Sequence, residues 1–532
     1  MSKPLLSVKD LNVSFASRAG NTHAVKNVSF EVAPGEIVGI VGESGSGKSV
    51  SCRAVLGLLP DSAKVTGQIH YQGQDILGLD SEGLRRIRGR QASMVFQNPA
   101  SHLDPLMTVG RQVSEPLVHH EGVSQADAHR AAIKRLQEVQ LDRPEQRVNN
   151  YPHELSGGMK QRVMIAAAIA CGPGLLLADE PTTALDVTVQ ARILELLRTL
   201  NEQHELSIVL VSHDLAVVAQ VCDRVLVMRH GEIVETGDTQ QVIYSPQHPY
   251  TQQLVESQPS RMAQRASQTG KASPLLEVNN INVEFALPGR RKLQALDEVS
   301  LTLNKGETMG IVGESGSGKS TLARVIMGLV KPASGDVQLN GASILQDSDR
   351  LDLAVCRKVQ MAFQNPFDSL NPRYSIYETI AEPIRRHMLV PAVELDDRVA
   401  ELLRLVELDQ DLADRKPSQL SGGQCQRVGI ARALAMDPEL LIADEITSAL
   451  DVTIQAQIIE LLNRLCAQRN LSVIFISHDL ALVRSFCDQV LVFQSGRIVE
   501  GGSVSDVLER PKESYTQELL NSAPRLATQD AI

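Results

Sequence analysis

Gly42-Glu43-Ser44-Gly45-Ser46-Gly47-Lys48-Ser49 recurs residue for residue as Gly313-Glu314-Ser315-Gly316-Ser317-Gly318-Lys319-Ser320. Each copy follows a short apolar run, Glu36-Ile37-Val38-Gly39-Ile40-Val41 or Glu307-Thr308-Met309-Gly310-Ile311-Val312, that reads as a buried strand. Each leads into a helical pattern that starts near the lysine. Glycines between a strand end and a helix N-terminus let successive N–H groups turn inward on phosphate oxygens, and the helix dipole adds positive potential there. Lys48 and Lys319 are then expected to reach the β- and γ-phosphates of a nucleotide, with the hydroxyls of Ser49 and Ser320 on Mg²⁺. Strand, loop and helix written twice predict an α/β fold with tandem P-loop NTPase domains.

Length and charge fit that duplication. The chain has 532 residues, and single cores stop growing near roughly 250–300. A net charge of −11 advertises no basic surface for nucleic acid, so no nucleic-acid partner is expected. The seven cysteines are scattered with no C-x-x-C pair, which indicates neither a disulfide framework nor a zinc site. Met1-Ser2-Lys3-Pro4 leads into strand-like alternation rather than a signal-peptide apolar core. The most apolar window, Val163 to Ala178, is broken by Gly172-Pro173-Gly174 and is short of the ~18–20 residues of a membrane span.

Both halves open on a strand pattern ending in an aromatic, Leu5 to Phe15 and Leu275 to Phe285, read as edge strands of a β-rich subdomain. Phe15 and Phe285 are candidates to stack on adenine, with a core role the alternative. Next come Phe96-Gln97-Asn98-Pro99 and Phe363-Gln364-Asn365-Pro366, where a strand ends on a glutamine before a helix-breaking proline. Gln97 and Gln364 are thus placed beside a metal. A helical insertion of some sixty residues follows in each half.

Leu155-Ser156-Gly157-Gly158 and Leu420-Ser421-Gly422-Gly423 close those insertions and begin helices. Serine as N-cap with open glycine N–H groups behind it makes a second anion site. Leu175 to Glu180 and Leu440 to Glu445 are buried strands ending in two acids. A buried carboxylate needs a cation or a water network, so Asp179 and Asp444 are expected in the Mg²⁺ shell. Glu180 and Glu445 are expected to polarise a water against the γ-phosphate. Turns through Asp186 and Asp451 follow, and then His213 and His478, candidate γ-phosphate sensors at further strand ends. The two copies keep register: Lys48 and Lys319 lie 271 residues apart, Gln97 and Gln364 267, and Ser156 and Ser421 265, as do the Glu and His pairs.

This order of motifs resembles the nucleotide-binding domains of ATP-binding cassette (ABC) proteins over almost the whole of both halves. The resemblance implies tandem ABC ATPase domains at 1–256 and 275–532, joined by a linker at 257–274. Each is expected to have a RecA-like core, an antiparallel β subdomain and a helical subdomain. It implies Mg²⁺-dependent ATP hydrolysis at two composite sites, with Lys48 and Glu180 facing Ser421, and Lys319 and Glu445 facing Ser156. Asp186 and Asp451 would lie between the domains. The linker's reach, on the order of 25 Å, allows the halves to meet head to tail.

The stretches Leu103-Asp104-Pro105 and Ser369-Leu370-Asn371-Pro372, and His248-Pro249-Tyr250-Thr251 with its counterpart Ser514-Tyr515-Thr516, are similar to those of peptide-importer ATPases. Fused pairs of this kind resemble the glutathione-type and microcin C-type importers of bacteria. The implied setting is the cytoplasmic face of the bacterial inner membrane, with two polytopic permease subunits and an extracytoplasmic solute-binding protein. The alternative is a soluble, non-transport ABC ATPase acting on ribosome or DNA. No iron–sulfur cluster is expected, because no Cys lies between Cys222 and Cys356.

Two finer expectations follow. Pro181 should confine Glu180 to extended backbone, whereas Glu445 precedes Ile446, which predicts slower hydrolysis at the second half's glutamate. Cys52 and Cys425 lie in helices beside the ATP contacts, so their alkylation should slow hydrolysis unless they are inert packing.

Overall fold

The computed structural model describes residues 3–17, 20–183, 185–262, 273–287, 291–345, 353–448, 450–524 and 526. They form two compact units, one built from the described residues of 3–185 and 189–258 with 524 and 526, the other from 186–188 and the described residues of 259–523. Residues 263–272 of the expected linker lie outside the described residues.

In the first unit a six-stranded sheet has the order Glu232–Asp238, Arg224–Arg229, Ile37–Val41, Ser207–Ser212, Leu175–Asp179, Ala92–Val95. All neighbours are parallel except the outermost pair, Glu232–Asp238 with Arg224–Arg229. Ile37–Val41, Leu175–Asp179 and Ser207–Ser212 are buried along their whole length, as parallel strands covered on both faces must be. That is why they read as unbroken apolar runs. The second unit repeats the order with Arg497–Ser503, Gln489–Gln494, Thr308–Val312, Ser472–Ile476, Leu440–Asp444 and Val359–Ala362.

A four-stranded antiparallel sheet accompanies each core, ordered Gly20–Val32, Leu6–Ser17, Ala63–Tyr71, Gln74–Asp75 in the first unit. Leu6–Ser17 is therefore an inner strand, not the edge strand expected, and Pro274–Leu287 is inner in the second unit as well. The strand is hard to place from its pattern because the pattern slips. Leu6 and Val8 are buried, then Leu11 and Val13, with a register shift where Asp10 takes a positive φ of 49°. Asn280, at φ 48°, marks the same slip in the second unit.

The expected helical insertions are present as Val109–Glu121 and Gln125–Glu138 in the first unit and Ile376–Arg386 and Leu395–Leu405 in the second. Val113, Ala132 and Leu136 of the first pair share one core with Val163 of the following helix and Leu176 of the sheet. Pro99 and Pro366 begin short helices rather than breaking longer ones, with Asn98 and Asn365 as N-caps. Among the described residues no helix is long and apolar enough to cross a membrane.

Candidate functional site

The phosphate loop is forced by backbone geometry. A Cβ on Gly42 would lie 2.1 Å from the Met228 carbonyl oxygen, and one on Gly313 2.2 Å from that of Phe493. Gly47 and Gly318 take φ of 102° and 111° as N-caps, so no side-chain cap occupies the first N–H groups of the helices Lys48–Val55 and Lys319–Ile326. Lys48 and Lys319 are buried. Their ammonium groups donate to the carbonyls of Gly42 and Glu43, at 2.7 and 2.8 Å, and of Gly313 and Glu314 at the same distances.

Parallel pairing brings the acids to the loops. The Ser49 hydroxyl donates to Asp179 Oδ1 at 2.6 Å and the Ser320 hydroxyl to Asp444 Oδ1 at 3.1 Å. Burial pushes both aspartates up from the usual carboxylate range, against the opposing hydrogen bond from the serine. Asp179 Oδ2 is buried with no hydrogen-bond partner, the Arg53 guanidinium lying 3.7 Å away. A buried oxygen left open beside a serine hydroxyl suits a hard cation that takes one carboxylate and completes its shell from phosphate and water. The residues present therefore fit Mg²⁺.

Glu180 and Glu445 follow the strand ends with their N–H groups on Val211 O and Ile476 O. Both take left-handed backbone, φ 48° and 49°. Pro181 thus does not hold Glu180 extended, and the two glutamates share one backbone conformation despite the Pro/Ile difference. They differ in what grips their carboxylates. Glu180 Oε2 accepts from Gln97 Nε2 at 2.8 Å and Thr183 Oγ1 at 2.9 Å, with His213 Nδ1 at 3.3 Å. Glu445 Oε2 accepts from Gln364 Nε2 at 2.6 Å, but the Ser448 hydroxyl donates to the Glu445 backbone carbonyl at 2.9 Å. Burial would raise Glu180; the His213 ring, the Thr183 hydroxyl and the Lys48 charge outweigh it and hold the carboxyl at about 2. Sequence reading did not single out Thr183. Its signal is a hydroxyl three residues after the glutamate, on a turn closed by Thr183 N–H to Glu180 O at 3.3 Å.

Gln97 and Gln364 therefore sit on the glutamates. His478 lies at the end of the strand Ser472–Ile476, next to Asp479, which caps the helix Leu480–Phe486. Ser156 caps Gly157–Ala168 and Ser421 caps Gly422–Leu434, accepting from Met159 N–H at 3.4 Å and Gln424 N–H at 3.3 Å. Both serines are exposed. Gly158 is needed because a Cβ there would lie 2.4 Å from Val189 Cγ1; Gly423 meets Ile454 Cγ2 at 2.6 Å. Phe15 is half-buried and Phe285 is 39% exposed, each near the end of its strand. Asp186 precedes the helix Val187–His204 and Asp451 is N-cap of Val452–Arg469. Cys52 and Cys425 are buried, at 1% and 0% exposure. Burial raises both thiols, that of Cys425 to about 11, which favours the packing alternative over reactive thiols.

Residues 25–183 and 296–448 match the family model of the ABC transporter. Residues 234–281 and 499–531 match that of the oligopeptide/dipeptide transporter C-terminal region. The peptidoglycan transport ATP-binding protein YejF of Agrobacterium fabrum is 43% identical over 530 residues, 98% of this chain and 96% of the relative. The glutathione import ATP-binding protein GsiA of Escherichia coli (strain K12) is 40% identical over 557 residues, 98% of this chain and 89% of the relative. A solved structure of cbiO1 from Clostridium perfringens, part of an ABC transporter complex, is 29% identical; it covers 44% of this chain and 91% of its own, with a TM-score of 0.41.

Proposed function

The chain belongs to the ABC transporter family, and from that premise we propose that it is the ATP-hydrolysing subunit of an importer of peptides or peptide-like solutes. The observation that carries the reading is a double one. Lysine, serine, aspartate, glutamate and glutamine converge in each half, and each half is followed by the oligopeptide/dipeptide transporter C-terminal region. The relatives named above are ATP-binding proteins of peptidoglycan transport and glutathione import.

In the proposed mechanism the loops Gly42–Ser49 and Gly313–Ser320 bind the nucleotide phosphates through backbone N–H groups, and Lys48 and Lys319 exchange their loop carbonyls for phosphate oxygens. Mg²⁺ would be held by Ser49, Asp179 and Gln97, and by Ser320, Asp444 and Gln364, and would neutralise charge on the phosphates. Glu180 and Glu445 orient the attacking water and accept its proton, while His213 and His478 hold the γ-phosphate end of the site. Phe15 and Phe285 stack on adenine. Ser156 and Ser421, with the glycines behind them, supply the second anion site, and the loops that bear Gln97 and Gln364 couple nucleotide binding to movement of the membrane subunits. The partners proposed are two polytopic permease subunits that meet the helical insertions after Gln97 and Gln364, on the cytoplasmic face of the membrane. A binding protein outside delivers the solute.

The test is a gentle detergent extraction of the tagged chain from its own cells, with a multiple-turnover phosphate-release assay on what is recovered. Two polytopic membrane subunits and Mg²⁺-dependent turnover that is lost in K48A/K319A are expected. Recovery of ribosomal or DNA-repair proteins with no membrane subunit would overturn the import reading while leaving the ATPase reading in place.

A further inference from the structure

The stretches His248-Pro249-Tyr250-Thr251 and Ser514-Tyr515-Thr516 have so far served only as family markers. In the fold each places a tyrosine on a helix, Pro249–Glu256 or Ser514–Ser522, and buries its ring at 2% or 9% exposure. The ring ends on the phosphate loop. Tyr250 Oη accepts from the Glu43 N–H at 3.1 Å, and Tyr515 Oη from the Glu314 N–H at 3.2 Å. The same peptide groups carry the Gly42 and Gly313 carbonyls, which accept from Lys48 and Lys319 at 2.7 Å.

We propose that Tyr250 and Tyr515 are positioning residues for nucleotide binding, which hold the start of each phosphate loop through their hydroxyls. Each loop is held at a second point as well. The Gly231 N–H, in the turn after Arg224–Arg229, donates to Ser46 O at 3.1 Å, and the Gly496 N–H to Ser317 O at 2.8 Å. The next strand anchors the tyrosine's helix: Glu235 accepts from the N–H groups of Gln247 and His248 at 2.8 and 3.0 Å, and Glu500 from those of Lys512 and Glu513 at 2.8 and 3.3 Å. The surroundings of the two rings differ, which isolates what they share. The Arg229 guanidinium lies 4.7 Å over the Tyr250 ring, where the second half has Gln494 at the end of the matching strand. His248 caps the first helix through Nδ1 and Glu513 makes no side-chain cap on the second. The hydroxyl-to-loop bond persists through both changes.

The inference rests on the reading of these loops as phosphate cradles. In the full chain, with the other half silenced by K319A or K48A, Y250F and Y515F are measured for binding of a fluorescent ATP analogue with Mg²⁺, for steady-state hydrolysis, and for apo melting temperature. Phenylalanine keeps the ring and leaves the loop N–H without its acceptor, a loss that corresponds to a roughly 3- to 10-fold rise in Kd and in KM for ATP. The change in kcat should be smaller. V255A, which trims a buried residue of the same helix, lowers the melting temperature without matching that rise. Kd within twofold of the parent in both phenylalanine variants, or an equal rise in V255A, overturns the proposal and leaves the cradle reading intact. If the unsubstituted chain binds no nucleotide, or K48A/K319A binds as well as the unsubstituted chain, both readings fall.

Discussion

Substituting Glu180 by glutamine should destabilise the protein as well as disable it, which is unusual for a residue proposed as a catalytic base. The carboxyl lies at about 2 instead of its ordinary 4.5, which at about 1.4 kcal/mol per pH unit amounts to roughly 3 kcal/mol in favour of the ionised, folded form. Because the folded value lies below the unfolded one, this stability is fully present above pH ~4.5 and drains away as the pH falls towards 2. Gln97, Thr183 and His213 were arranged for a charge, and a neutral amide cannot satisfy them equally. Guanidinium denaturation of the nucleotide-free chain at pH 7.5, followed by circular dichroism, should show E180Q losing up to about 3 kcal/mol, with the same gap at pH 5.5. E445Q should lose less, because the Ser448 hydroxyl serves the backbone instead of the carboxylate. An E180Q protein as stable as the parent at pH 7.5, or equal losses in the two variants, would refute the reasoning.

The same geometry gives three shorter predictions. Thr183→Val removes one donor from an ionised acceptor, an effect of about 1.5–3 kcal/mol, and should slow single-turnover phosphate release in the first half by at least tenfold, whereas S448A should cost the second half less than threefold. G42A drives a Cβ to 2.1 Å from a backbone carbonyl and should abolish nucleotide binding, while G45A, at φ 78° with nothing within 4 Å, should cost about 1–2 kcal/mol and keep it; equilibrium binding of labelled ATP separates the two. Iodoacetamide applied to the native chain should leave Cys52 and Cys425 unmodified by mass spectrometry under conditions that label Cys52 and Cys425 in guanidinium, since both thiols are buried and raised.

What could be read from the sequence, and what could not, divides along a physical line. Buried parallel strands such as Leu175–Asp179 announce themselves as apolar runs, and the motif at each strand end is local, so Asp179 and Ser156 were legible from neighbours alone. Leu6–Ser17 reads as an edge strand but lies inside its sheet, because a positive-φ Asp10 slips its alternation, and backbone irregularity is invisible to a period-two count. Tyr250 reaches a peptide 207 residues away in the chain, a contact made by the strand order and not by any pattern around the tyrosine. The contrast between Thr183 and Ser448 is subtler still. Both have a hydroxyl three residues after a glutamate of the same backbone conformation, and by composition the change is conservative. Thr carries a β-methyl that restricts χ1; its hydroxyl lies on the carboxylate while that of Ser448 turns to the carbonyl. Any difference in hydrolysis between the two halves is therefore better sought at this pair than at Pro181 and Ile446, and T183S with S448T, compared by single-turnover release, would exchange the two rates if the hydroxyl sets them.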